Sequence, residues 1–146
     1  MNMTKKEEVK PILRVFFSYA REDRAEAHKI RHLLSQRFNI RIFTTELLSA
    51  GEDWQSKLKN ELTQCDIFVV LLSPNAVTSS WVLQELGAAW GLQKPILPVV
   101  THPGVFAQIP VALSQTEFVD IKDLENPEVL HQILERYEEQ VATSHK

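Results

Sequence analysis

The chain has 146 residues, the length of one ordinary domain, and its 44% apolar and 24% charged content suits one continuous core. A net charge of −3 without a basic cluster argues against nucleic acid as a partner. The single cysteine, Cys65, excludes an intrachain disulfide; the charged start MNMTKKEEVK lacks the apolar core of a signal peptide; and no apolar run nears the roughly 20 residues that cross a bilayer, so a soluble cytoplasmic domain without membrane contact is expected.

Residues 1–11 are expected to be a flexible N-terminus, 12–142 a single domain and 143–146 a tail. LRVFFSY, from Leu13 to Tyr19, is a short apolar run and reads as a buried strand. A helix follows from Glu22 to about Arg37, with Ala27, Ile30, Leu33 and Leu34 at helical spacing and Glu22 and Asp23 at its positive end. Ile40 to Thr44 reads as a second strand, and Thr44 to Asp53 as a loop around Gly51. Trp54, Leu58 and Leu62 at i, i+4 and i+8 predict a helix capped by Asp53. Asp66 to Ser73 is apolar from Ile67 to Leu72, as in a central parallel strand covered on both faces. A helix is predicted from Ser80, its N-cap, to about Leu92, and a strand from Pro95 to Val100, with Pro98 placing it near an edge. Thr101 to Gln115 reads as a loop or one short helix, Glu117 to Ile121 as a fifth strand, and Leu130, Ile133, Leu134, Tyr137 and Val141 as the stripe of a last amphipathic helix.

Strand–helix alternation predicts an α/β, flavodoxin-like, three-layer fold: a five-stranded parallel sheet of order 2-1-3-4-5 flanked by helices. That order opens a cleft at the carboxyl ends of strands one and three, where SYARED and LSPN end those strands. A phospho-acceptor receiver would need a carboxylate at the end of strand three, where Leu72-Ser73-Pro74 stands. A Rossmann grip would need a glycine-rich first turn, but the four glycines are at 51, 87, 91 and 104. His28 and His32 sit at i, i+4 without a third ligand, so no metal is expected and a solvated helix face is the reading. Cys65 reads as a small core residue.

The candidate constellation lies in SSWVLQELG. Trp81 and Glu85 are one helical turn apart, with Val82, Leu86 and Ala89 forming the apolar stripe that Glu85 flanks. By periodicity alone Glu85 is a solvated edge residue. As a catalytic group it is a lone carboxylate, whereas ordinary glycoside hydrolysis uses two. The nicotinamide–ribose bond of NAD+ needs only one, because its leaving group is already cationic and departs neutral. Trp81 could stack on base or ribose, and Arg21 or Arg24 could hold phosphate.

RVFFSYARED, IRIFTTELLSAGEDW, DIFVVLLSPNAVTSSWVLQELGAAW and KPILPVV, in that order, resemble the TIR (Toll/interleukin-1 receptor) domain family over roughly Leu13 to Val100. The resemblance is strongest to prokaryotic, NAD+-cleaving members. It implies the five-stranded parallel fold and cleavage of NAD+, as substrate and with no cofactor, to nicotinamide and ADP-ribose or a cyclic isomer. It implies Glu85 as the catalytic acid with Trp81 beside it, and a substrate cleft using Phe17, Ser18, Tyr19 and Arg21. It makes the Thr44–Asp53 loop a gate and a contact between domains, with Leu47 and Leu48 beside Gly51 as a docking knob. Thr44 stands where many members have Asp, and Glu46 is the acid that could replace it. The partners implied are NAD+, other TIR domains in a homo-oligomer or filament, and a fused or separate sensor module. The function implied is an NAD+ glycohydrolase, with a possible ADP-ribosyl cyclase activity, switched on by oligomerisation in bacterial anti-phage immunity. A non-catalytic TIR scaffold and a nucleotide-binding sensor are the alternatives.

Overall fold

Five strands pair in parallel in the order β2-β1-β3-β4-β5. They are β1 (Leu13–Ser18), β2 (Ile40–Phe43), β3 (Ile67–Leu72), β4 (Ile96–Val100) and β5 (Val119–Asp120). Four α-helices flank them: α1 (Arg24–Leu34), α2 (Trp54–Gln64), α3 (Ser80–Gly91) and α4 (Pro127–Ser144). This computed structural model describes residues 11–36, 39–48, 50–51, 53–108, 110, 113 and 116–144. Of the expected N-terminal segment only Pro11 is described, and Arg37, expected to end the first helix, lies outside the described residues.

The expected architecture and strand order are present. Several boundaries differ for local reasons. The first helix begins at Arg24, because Arg21–Asp23 forms a separate 3-10 turn. The N-cap of α3 is Ser79 rather than Ser80: its side-chain oxygen accepts from Val82 N–H at 3.2 Å, and Ser80 is already helical. Asp53 caps α2 as expected, accepting from Ser56 N–H at 3.3 Å and from the Ser56 hydroxyl at 2.8 Å. α4 continues through Thr143 and Ser144, which the sequence reading placed in the tail. Thr101–Gln115 contains a short 3-10 helix, Pro103–Gln108.

Strand alternation divides the core into two layers. Leu13, Val15, Phe17, Ile67, Val69 and Leu71 face α1 and α4. Phe16, Phe43, Phe68, Val70 and Leu72 face α2 and α3. Phe43, Phe16 and Phe68 stand side by side across β2-β1-β3, with centroids 5.2 and 5.4 Å apart. Every residue of β3 is buried, as its unbroken apolar run requires.

Pro98 fits β4 without breaking a ladder bond. Phe68 N–H donates to Pro95 O and Thr101 N–H to Leu72 O, at 2.8 and 3.0 Å, so the odd-numbered residues of β4 serve β3. The missing N–H of Pro98 therefore faces the β5 side, where β5 pairs only with Val99 and Val100. Cys65 is a buried core residue whose thiol donates to Leu62 O at 3.2 Å; burial pushes it up to about 11, which suits packing rather than nucleophilic work. Among the described residues no helix is long and apolar enough to cross a membrane.

Candidate active site

The strand alternation that divides the core also decides what meets Glu85. Ser18 ends β1 with even parity, so it points to the same face as Phe16, toward α3. Glu85 lies on the inward face of α3 with Val82, Leu86 and Ala89, and all four are buried. The two meet: the Ser18 hydroxyl donates to Glu85 Oε1 at 2.6 Å, and both residues are buried, at 1% and 3% exposure. The solvated-edge reading of Glu85 is therefore overturned. A twelve-residue helix with one charged side chain has turned that side chain into the protein.

The carboxyl is poorly compensated. Oε2 is buried and has no hydrogen-bond partner. The Trp81 indole lies near enough to favour the ionised form but does not reach hydrogen-bond geometry. Burial raises Glu85 to about 7, and the Ser18 hydroxyl and Trp81 only partly oppose that rise. No opposite charge contributes. The carboxyl is thus desolvated, held at one oxygen by Ser18 and without a partner at the other.

Beside it, at the carboxyl edge of the sheet, lies a cleft of about 540 Å³, a volume typical of small-molecule sites. Tyr19, Ala20, Arg21, Glu22 and Arg24 enter from the β1–α1 connection, and Thr45, Glu46 and Leu48 from the loop after β2. Trp54, Ser79 and Trp81 enter from the starts of α2 and α3. The two indoles touch edge to face, with centroids 5.4 Å apart and an interplanar angle of 76°. Glu85 is not part of this wall; it is buried one turn behind Trp81.

Glu46 organises the other side. Its Oε1 accepts from the Tyr19 hydroxyl and lies 3.1 Å from His28 Nε2, and its Oε2 pairs with Arg24 Nε at 2.8 Å. Donation from Tyr19, then the His28 and Arg24 interactions, hold Glu46 below the usual carboxylate range. Burial first, and then the bond to Glu46, pushes the Tyr19 phenol up to about 12. These contacts tie the loop's short helical turn, Thr45–Leu47, to α1. His28 thus serves Glu46 while His32 contacts Gln36, and among the described residues no three His, Cys, Asp or Glu side chains gather as a metal site.

The expected site residues separate as follows. Tyr19, Arg21, Glu46, Leu48 and Trp81 line the cleft, and Ser18 holds the acid. Phe17 is a correction. It has odd parity, is 1% exposed, and packs in the opposite core layer against Tyr19, so the cleft does not use it. Thr44 is fully buried beside Tyr19 and absent from the cleft wall, which takes Thr45 and Glu46 instead. The expected exposed leucine pair is split: Leu47 is 46% exposed, whereas Leu48 is half-buried against the α2/α3 core layer. Gly51 has φ +89°, a left-handed conformation that favours glycine, so the loop's turn depends on it.

Sequence reading missed Trp54 as a cleft residue. Its spacing with Leu58 and Leu62 suggests an inward stripe, and Leu62 is indeed buried, but Trp54 opens the helix at the sheet edge and is 45% exposed. An aromatic at the first helical position after a loop Gly was the available signal.

The fold has relatives among solved structures. The TIR domain of the Toll-related receptor TRR-2 from Hydra magnipapillata superposes with a TM-score of 0.68 at 21% identity, covering 86% of this chain and 97% of that one. The TIR domains of the activated Roq1 resistosome, which directly recognises the pathogen effector XopQ, give 0.54 at 22% identity, covering 87% and 80%. The CMP N-glycosidase BcmB of Clostridium botulinum gives 0.55 at 15% identity, covering 83% and 98%. No curated protein matches the sequence significantly. At these identities the likeness establishes the fold; the family follows from the sequence itself, because the TIR domain model matches residues 15–134, and the chain belongs to the TIR domain family.

Proposed function

We propose that this TIR domain is an NAD+ glycohydrolase in which Glu85 stabilises the ribosyl cation. The observation that carries the reading is the Glu85 carboxyl: buried, held through one oxygen by Ser18, unpaired at the other, and adjacent to a cleft walled by two indoles and two guanidinium groups. The C–N bond to nicotinamide breaks with both electrons passing to the ring nitrogen, which neutralises the pyridinium. The cation left at ribose C1′ is stabilised by the carboxylate. Water then adds at C1′ and loses a proton, giving ADP-ribose; capture by a nucleophile of the same molecule gives a cyclic isomer. Arg21 and Arg24 suit the pyrophosphate, and Trp81 the ring or ribose. NAD+ enters as substrate, with no cofactor and no metal.

Glu85 at 3% exposure sits behind the cleft wall, so a substrate ribose reaches Oε2 only if Trp81 or the loop after β2 shifts. That supports activation by assembly: other TIR domains dock through the loop, with exposed Leu47 as a contact, and open the acid. In this reading the protein is an oligomerising cytoplasmic effector of bacterial anti-phage immunity under a sensor module. The structural likeness to a CMP N-glycosidase favours the same bond class and makes CMP the second substrate to test. The rival is a scaffold TIR domain without chemistry.

The test is nicotinamide release from NAD+ at high protein concentration with a crowding agent, for wild type and Glu85→Ala. Release by wild type and loss in the variant is expected. Release by both removes Glu85 from the mechanism. Release by neither, with both proteins folded, favours the scaffold.

A further inference from the structure

Trp54 is a large apolar side chain left 45% exposed in the cleft wall. It is the first residue of α2, just after the Asp53 cap, and its ring meets Trp81 edge to face. Neither the buried layer nor the Glu46 cluster uses it. The cleft it lines is polarised. Arg21 and Arg24 come from the β1–α1 connection on one side of the sheet, and the two indoles from the helices that cover the other. One turn behind Trp81 lies the Glu85 carboxyl, whose Oε2 is buried without a partner. The charged side also carries Glu22 and Glu46, the latter paired with Arg24, so the two sides differ as ionic and aromatic, and indole faces attract a cation.

On the reading that NAD+ is the substrate, we infer that Trp54, paired with Trp81, is the specificity-determining residue by which the cleft reads the fixed positive charge on the base of its N-glycoside. Trp54 acts through the face of its ring, so the gain is confined to ligands whose base is a cation. Neutral N-glycosides of the same shape receive only apolar contact from it.

NAD+ and NADH make the comparison cleanly, because the reduced ring is uncharged and the rest of the molecule is unchanged. Affinities are measured by titration calorimetry at high protein concentration in a Glu85→Gln background, which stops turnover and removes the carboxylate's own charge. With Trp54 intact, NAD+ is expected to bind about tenfold more tightly than NADH. Trp54→Leu is expected to bring the ratio to about one by weakening NAD+ alone, and Trp54→Phe to give an intermediate ratio. Equal weakening of both ligands makes Trp54 an apolar wall and overturns the inference; so does an unchanged ratio. If Trp54→Leu does not fold, Trp54→Phe decides, since its ratio must fall below that of Trp54. Equal binding of NAD+ and NADH with Trp54 intact overturns the charge reading while leaving NAD+ as ligand. Binding of neither removes the NAD+ reading itself.

Discussion

Replacing Glu85 with Gln tests the central feature of the site without any substrate. Burial raises this carboxyl from 4.5 to about 7. A carboxyl whose folded value lies above its unfolded value keeps more protons in the fold, so its contribution to stability is complete below about 4.5 and is lost as pH rises through about 7. At 1.36 kcal/mol per pH unit, the wild type carries a penalty of about 3 kcal/mol above pH 7. Gln is uncharged at every pH, has the same shape, and can still accept from Ser18. Glu85→Gln should therefore exceed wild type by under about 1 kcal/mol near pH 5 and by about 3 kcal/mol at pH 8.5, where the rise in Tm is about 10 °C for a domain of this size. Thermal unfolding of both proteins across pH 5–8.5, followed by circular dichroism, measures the gap, and subtracting one curve from the other cancels every other titrating group. A gap that stays flat with pH would refute the claim that Glu85 is a buried, uncompensated acid. The same variant should release no nicotinamide, which pairs a gain in stability with a loss of activity.

The remaining predictions concern the neighbours of that acid and the loop. Ser18→Ala removes the one hydrogen bond to Glu85 Oε1, and a bond to a charged group contributes about 1.5–3 kcal/mol, so the acid limb of the pH profile for nicotinamide release should move up by about one pH unit. A lower rate with an unmoved midpoint would leave Ser18 a packing residue only. Leu47→Asp should abolish the rise of specific activity with protein concentration while leaving Tm within about 2 °C, because surface changes of this kind typically cost under about 0.5 kcal/mol. Leu48→Asp should lower Tm as well, since Leu48 packs on the core, and activity of Leu47→Asp that still climbs with concentration would remove the loop as the assembly contact.

The fold was legible where one signal ruled. The unbroken apolar run Ile67–Leu72, too short for a helix, suits a central strand, and strand–helix alternation with right-handed crossovers pointed to the observed sheet order. The site was legible in part because two signals compete there. Helical periodicity assigns apolar residues inward and carboxylates outward, and Glu85 violates it, so spacing alone left it on the surface while the TIR resemblance pointed to it. Trp54 fails in the opposite sense: an aromatic at the head of an apolar stripe belongs inside by period, but as the first residue of α2 it is left 45% exposed in the cleft wall. The place of Phe17 follows from strand alternation. Consecutive residues of a strand face opposite layers, so Ser18 could not face α3 unless Phe17 faced away.

These violations have a common direction. A carboxyl buried without a cation, and a tryptophan exposed without a cover, are each unfavourable in the isolated chain, and both sit at one edge of the sheet. The rest of the core obeys its patterning: β1 and β3 alternate into two closed layers and the caps of α2 and α3 are formed by their own residues. Exposed apolar side chains also occur elsewhere among the described residues, Trp90 and Leu92 at the far end of α3 among them, but of these Trp54 is the one that lines the cleft. On the proposed reading one ligand chemistry addresses both violations, since a planar cation covers the indole and, once the wall opens, brings its positive centre to the carboxyl. A neutral base relieves only the second, and a second TIR domain docking through Leu47 relieves neither directly. On the proposed reading a cationic N-glycoside is the occupant of this cleft, and assembly has the separate task of opening the wall that stands between that ligand and Glu85.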